Sequence, residues 1–351
     1  MKLSHLDITP DLLKLIAEID EFKGSWKILK TLSPERLQSL RHVATIESIG
    51  SSTRIEGAKL TDQEVEKLMQ GLSTQSFASR DEQEVAGYAQ AMDLIFESYN
   101  DIALSENYVK QLHRDLLRHS EKDQRHRGEF KKFPNSVEAF DQAGKSLGVI
   151  FETTSPFDTP RKMQELLHWT REVLEDRSLH PLLVAGIFTV VFLAIHPFQD
   201  GNGRLSRILT SLILLKAGYN YIPYASLESV IEKNKESYYL SLRRTQTTLE
   251  SDTPDWLPWL RFFMLSLKRQ KDHLGIKLEQ KSHSKTKGLP KENLQILDYV
   301  AEHGQISTRK AQEITGLLRP TVRARLNKLV SQGHLELHGK GRGAFYEKPE
   351  Q

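Results

Sequence analysis

The stretch Pro181–Ile195 reads PLLVAGIFTVVFLAI, without a charge, and a second apolar run, ILTSLILLKAGY, starts at Ile208. A segment that is apolar on every side has no face to give to water, so other elements must enclose it. From Leu182 to Ile195 it falls short of the roughly 18–20 residues that a membrane span requires, which predicts a buried core helix and no membrane association. Between the two runs lies HPFQDGNGRLSR, residues 196–207. A histidine, an acid, a Gly-Asn-Gly turn and two arginines held between buried helices are expected to line a cavity.

The chain of 351 residues is long enough for two or three hydrophobic cores. Helical spacing of apolar residues dominates it. SPERLQSLRHVATIESI opens on a Ser33-Pro34-Glu35 start signal, and TDQEVEKLMQGL opens on a capping box, Thr61 to Glu64, and reaches a stop at Gly71. Gly128 to about Phe151 breaks the pattern. That segment is rich in Phe, Val, Gly, Asn and Pro and predicts a short β-hairpin or flap. The expected organisation is an N-terminal helical region over 1–105, a core over 106–270, a Lys- and Ser-rich linker over 271–289 and a C-terminal domain over 290–351. In that last domain three short helices, one of them capped by Ser307 and ended by Gly316, precede two strands around the turn KGRG. This order predicts a winged helix-turn-helix.

Charge supports the division. From Lys281 onward there are 13 Lys and Arg against 7 Asp and Glu, a balance of +6; since the chain totals +3, the remainder carries −3. A basic tail on a mildly acidic body places any DNA contact at the C-terminus, with Arg319, Thr321, Arg323 and Arg325 as candidates and Lys340 and Arg342 on the wing. The same module also serves for docking proteins. There is no cysteine, which excludes disulfides and thiolate metal sites. The N-terminus MKLSHLDITPDLLKLIAEID shows no basic segment leading into an apolar one, so a cytoplasmic location is expected.

The central string carries the chemistry. Gly201 and Gly203 let the backbone come close to a ligand and turn N–H groups toward it. A helix that begins near Arg204 points its positive end at a bound anion. Arg204 and Arg207, three apart, share one face and are placed to reach a polyphosphate. Asp200 suits a divalent cation, because Mg²⁺ favours one or two carboxylates together with phosphate oxygens. His196 remains as a general base. These parts describe a phosphoryl- or nucleotidyl-transfer site. HRDLL at His113 lacks the Asn and glycine loop of a kinase, and His113, His119 and His126 lack the spacing of a helical metal pair, which predicts exposed or linker histidines.

HPFQDGNGRLSR matches His-x-Phe-x-Asp/Glu-Gly-Asn-Gly-Arg-x-x-Arg, and from about YVKQLH to PWLRFF the chain resembles the Fic family. The resemblance implies a mainly α fold: a Fic-type helical core with a small β-hairpin flap, followed here by a winged-helix domain. It implies transfer of AMP from ATP to a Ser, Thr or Tyr hydroxyl of a protein, the chain itself included, with Mg²⁺ held by Asp200. His196 would be the base; Gly201, Asn202 and Gly203 would form an anion hole; Arg204 and Arg207 would contact the β- and γ-phosphates; and Phe198 would be a buried anchor. Tyr238 and Tyr239 fall where the family lines its adenosine pocket. Lys131, Lys132, Phe133, Pro134 and Asn135 would belong to a flap that docks the target, with Lys131 as its basic residue.

SSTRIEG also resembles the family's inhibitory motif, Ser52-x-x-x-Glu56-Gly57, in which Glu56 would pair with Arg207. Expected partners are a target protein, DNA as an open option, and a second copy of the chain as a homodimer. Three other readings stay open: removal of AMP, transfer of another phosphate-containing group, and a DNA-binding regulator that senses nucleotide.

Overall fold

The computed structural model describes residues 6–29, 34–71, 77, 79–140, 146–280, 289–339 and 344–349. The chain forms two compact units, Met1–Leu274 and Gly275–Gln351. In the first, helices α1 (Pro10–Leu29), α2 (Pro34–Ile55), α3 (Asp62–Gln70), α4 (Arg80–Ser98) and α5 (Glu106–Leu116) precede a hairpin of β1 (Ser136–Phe140) and β2 (Ser146–Glu152). The hairpin is antiparallel, pairing Ser136 with Glu152, and its register slips at two irregularities. Then come α6 (Thr159–Asp176), α7 (Pro181–Ile195), α8 (Asn202–Lys216), α9 (Leu227–Lys233), α10 (Lys235–Gln246) and α11 (Leu257–Gln280), whose last residues, from Gly275, fall in the second unit.

The apolar helix is α7, and apart from Pro181 and Val191 every one of its residues is buried. It packs against α6, α8 and α10. One polar pin locks it to α8: Thr189 Oγ1 donates to Ala185 O at 2.8 Å and lies 2.7 Å from Thr210 Oγ1. Gly186 lets α11 come close, since a Cβ there would meet Leu260 and Phe263, and its carbonyl accepts from Trp259 Nε1 at 2.6 Å. Trp26, Trp256 and Trp259 are all core residues. No helix among the described residues is long and apolar enough to cross a membrane.

The second unit holds α12 (Lys291–His303), β3 (Gln305–Ser307), α13 (Thr308–Thr315), α14 (Arg319–Ser331), β4 (Glu336–His338) and β5 (Phe345–Glu347). Ser307 caps α13 by accepting from Lys310 N, and Gly316 ends it in the left-handed region. Ile296, Val300, Val322, Leu326, Leu329 and Tyr346 form its core. The strand order β3-β5-β4 adds one strand to the two expected. Three residues are too few to show an alternating pattern, which is why β3 escapes a reading of periodicity.

Helix α11 continues to Gln280, through the first half of the linker expected at 271–289, because Leu274 and Leu278 keep the buried period going. Arg319, Thr321 and Arg323 are exposed on α14. Arg325 is engaged within the unit instead, donating to Asn293 Oδ1 at 2.9 Å and pairing with Glu292 at 3.1 Å. Lys340 and Arg342 lie outside the described residues.

Two glycines make the packing testable with opposite signs. A Cβ on Gly87 of α4 would collide with the carbonyl oxygen of Leu116, whereas one on Gly24 of α1 meets nothing within 4 Å. Gly87→Ala should cost about 1–3 kcal/mol in urea unfolding by forcing α4 and α5 apart. Gly24→Ala should be neutral or stabilising by up to about 1 kcal/mol, since it removes backbone freedom from the unfolded chain.

Candidate active site

Helix α7 ends at Ile195 because His196 takes a left-handed conformation, φ 51°, and Pro197 follows. Few residues other than glycine adopt this conformation, and it persists only where the surroundings enforce it. The His196 N–H still closes the helix on Phe192 O at 2.9 Å. Gly201 makes a second left-handed turn, φ 78°, and α8 starts at Asn202. The loop between the two helices therefore spans only His196 to Gly201.

Three side chains pin this loop from inside. Asn202 Oδ1 accepts from Phe198 N at 2.9 Å while its Nδ2 donates to Phe198 O at 2.7 Å. Asn202 is thus consumed through its side chain in shaping the loop, and only its backbone N–H is placed to meet a ligand. Phe198 is fully buried and stacks on His113, with centroids 3.8 Å apart and planes 13° apart. His113 Nδ1 accepts from Gly128 N at 2.8 Å, which puts its proton on Nε2, 3.0 Å from Asp200 O. Burial drives its pKa down to about 4, so the ring is neutral. The expectation of exposed or linker histidines fails here: His113 is wholly buried because both nitrogens serve the loop.

His196 itself is half-buried. Its Nδ1 lies 3.4 Å from Leu193 O, and a carbonyl only accepts, so the proton sits on Nδ1 and the Nε2 lone pair is bare. Burial, then the charge of Lys131, lowers its pKa to about 4. At neutral pH the ring is uncharged and Nε2 is its acceptor.

The first N–H groups of α8, at Asn202, Gly203 and Arg204, have no acceptor within the helix, and the helix's positive end lies there. The Glu56 carboxylate, just past the end of α2, already lies over this spot: a Cβ on Gly203 would run into it. Glu56 Oε1 accepts from Arg207 Nη2 at 2.7 Å. Arg207 also donates from Nε to Ser52 Oγ at 2.8 Å and from Nη2 to Ser52 O at 2.9 Å. Arg207 is buried, and burial alone would disfavour its charge, but Glu56 foremost, together with Tyr238 and Tyr88, outweighs that and raises its pKa. Gly57, φ 106°, ends the segment. Tyr238 is buried against Trp259 and its hydroxyl pKa is pushed up to about 12, chiefly by burial; Tyr239 beside it is half-buried.

Arg204 occupies a different place from its expected one. It is 2% exposed and pairs with Glu84 of α4 at 3.0 Å and with Asp200 at 3.3 Å. Asp200 Oδ1 also accepts from Gly201 N, and its Oδ2 faces the half-exposed Arg80 at 3.3 Å. Burial would raise the Asp200 carboxyl, but Arg204, the Gly201 N–H and Arg80 together hold it below the usual carboxylate range. Among the described residues no three metal-ligating side chains converge. A cation at Asp200 would depend on this one carboxylate plus oxygens from phosphate and water, a donor set that fits Mg²⁺.

The flap residues divide. Lys132, Phe133 and Pro134 are exposed, and Phe133 shows 71% of its surface. Lys131 is turned inward, 3% exposed, and so does not stand ready for a docking partner. Glu84 and His113 are the contributors a reading of the sequence misses. Glu84 follows closely on Asp81 and Glu82, the acids of the helix's first turn, and nothing in its spacing ties it to a motif 120 residues away.

Residues 103–214 match the family model Fic/DOC family, and with the motif in this geometry the chain carries a Fic domain. Over 271 residues it is 26% identical to the protein adenylyltransferase Fic of Drosophila mojavensis, covering 74% of this chain and 48% of that protein. Its likeness to the Drosophila grimshawi protein of the same name is 28% over 228 residues, 42% of that protein. The chain therefore spans less than half the length of these relatives. Among solved structures, a Fic family protein from Desulfovibrio desulfuricans shares the fold over 98% of both chains, with a TM-score of 0.61 at 24% identity. A Fic domain containing signaling protein from Bacteroides thetaiotaomicron matches 75% of this chain and 97% of its own, at a TM-score of 0.60 and 26% identity.

The loop's dependence on His113 can be measured. His113→Phe keeps the stack on Phe198 but leaves the Gly128 N–H and the Asp200 carbonyl without partners. It should lower stability by about 2–4 kcal/mol in urea melts.

Proposed function

We propose that the protein transfers AMP from ATP to a hydroxyl group of a protein, and that Glu56 restrains this reaction. The observation that carries the proposal is the bare Nε2 of His196 at the end of α7, set beside the unsatisfied N-terminus of α8. A target hydroxyl gives its proton to Nε2 while its oxygen attacks the α-phosphorus, and pyrophosphate leaves. The backbone N–H groups of Asn202 and Gly203 cradle the phosphates, as helix N-termini do, whereas the Gly201 N–H, expected to join them, is taken by Asp200 Oδ1. Mg²⁺, held by Asp200, would offset phosphate charge. The Arg204–Glu84 pair supports giving Arg204 the task of orienting Asp200, which leaves Arg207 as the terminal-phosphate contact. The names of the relatives support the choice of AMP as the transferred group.

His196→Ala should abolish transfer while leaving ATP binding within about threefold, because the base goes and the cradle stays. Labelled AMP incorporation and calorimetric titration with ATP measure the two. Transfer within tenfold of the parent would remove His196 from the role.

The restraint is electrostatic. Glu56 occupies Arg207 and sets a carboxylate where a phosphate would lie. Breaking this contact, whose carboxylate side chain is 29% exposed, should release about 2–4 kcal/mol of opposition. Glu56→Gly should thus raise the initial rate roughly 30- to 1000-fold, and adding Arg207→Ala should cancel the gain. A Glu56→Gly protein no faster than the parent sinks the restraint.

A further inference from the structure

We infer that Lys131 is a positioning residue that couples the seat of His196 to the anchorage of the β1–β2 hairpin. The inference rests on the reading of His196 as the base. Lys131 precedes β1 in the chain, yet its ammonium is buried beneath the end of α7, where three acceptors surround it. Nζ donates to Ile195 O at 3.0 Å, to Thr153 Oγ1 at 2.7 Å and to Asn135 Oδ1 at 2.8 Å. All three N–H bonds of the ammonium are thereby used, as burial of a cation demands.

The partners come from three different places. Ile195 is the last residue of α7, next to the strained His196. Asn135 stands immediately before β1, and Thr153 immediately after β2. The Lys131 backbone N–H donates to Pro197 O at 2.8 Å, and Asn135 Nδ2 donates to Phe198 O at 2.8 Å. The carbonyls of residues 195, 197 and 198 are therefore all held by this one cluster. Thr153 Oγ1 also donates to Asn135 O at 2.7 Å, closing the base of the hairpin across its two ends. A left-handed histidine needs its neighbours over-determined, and this cluster supplies that.

Charge adds a second effect. Among the described residues, the charged groups that bear on the His196 ring include Lys131, from before the hairpin, which disfavours its protonation, and Glu56, just past the end of α2, and Asp200, in the same loop, which favour it. Removing the ammonium should raise the proton affinity of His196. A residue with a merely structural role would leave that affinity alone.

The test uses the full chain with ¹⁵N-labelled histidine, comparing the parent with Lys131→Met and Lys131→Gln. Methionine removes the charge and the donors, whereas glutamine removes the charge and keeps an amide donor. The pKa of His196, read from its ring nitrogen shifts, should rise by about one unit in both variants. Hydrogen exchange across β1 and β2 should quicken at least tenfold in Lys131→Met and less in Lys131→Gln. In a Glu56→Gly background, Lys131→Met should lower kcat at least tenfold with the KM for ATP unchanged within twofold. A His196 pKa constant within 0.3 units in the folded variants, or hairpin exchange unaltered in Lys131→Met, overturns the inference. If Lys131→Met does not fold, the ring titration of Lys131→Gln decides alone. The titration and exchange arms need no transfer activity, so failure of the adenylyl-transfer reading would show separately, as a Glu56→Gly protein that incorporates no AMP.

Discussion

A helix without a polar face leaves the chain around it little freedom. Because α7 must be enclosed, α6, α8 and α10 are drawn to it, and the Thr189–Thr210 contact fixes its depth and rotation relative to α8. The point at which α7 stops is then a fixed point of the core. His196 inherits that fixity as the next residue, and the six-residue loop to α8 must close a set distance. The left-handed turns at His196 and Gly201 are the way this short span reverses the chain. Disturbing the enclosure of α7 would shift the histidine and the helix N-terminus together.

Around this frame the charges are arranged in two groups of opposite consequence. Glu84, Arg204, Asp200 and Arg80 form a chain of alternating sign that keeps Asp200 ionised and in place. Glu56 and Arg207 form the other, supported by Ser52. The first group joins α4 to the loop and the second joins α2 to α8, so two of the four N-terminal helices bear directly on the site. The tip of α2 is further fastened by Arg54, which forks onto Glu232 of α9 at 2.7 and 3.0 Å and reaches Asp62 at 2.9 Å. The N-terminal helices and the motif-bearing core consequently belong to one compact unit.

Much of this was legible in the residues. The motif string, the apolar run before it, the caps at Thr61, Ser307 and Gly316 and the break in helical pattern after Gly128 each carry a local physical signal. What stayed hidden has a common cause. The roles of His113, Glu84 and Lys131 each depend on at least one partner 60 to 120 residues away in the chain, and a buried polar residue looks like a surface one until its partner is known. Arg204 illustrates the converse: its spacing from Arg207 is helical, but burial and the acid on α4 decide where its guanidinium points. Helix α11 outruns its expected end because two leucines continue a period that the surrounding lysines obscure.

The empty space at Gly203 has a consequence for how the site can be opened. The absence of a side chain there leaves room that the Glu56 carboxylate fills, and an anion drawn to the start of α8 would need the same room. Two negative groups compete for one volume, so narrowing it would exclude both alike. Short of removing the Glu56 side chain itself, no narrowing of that space can evict the one and keep a place for the other. The Arg54–Glu232 fork, which ties the tip of α2 to α9 two residues before Glu56, therefore sets where that carboxylate lies.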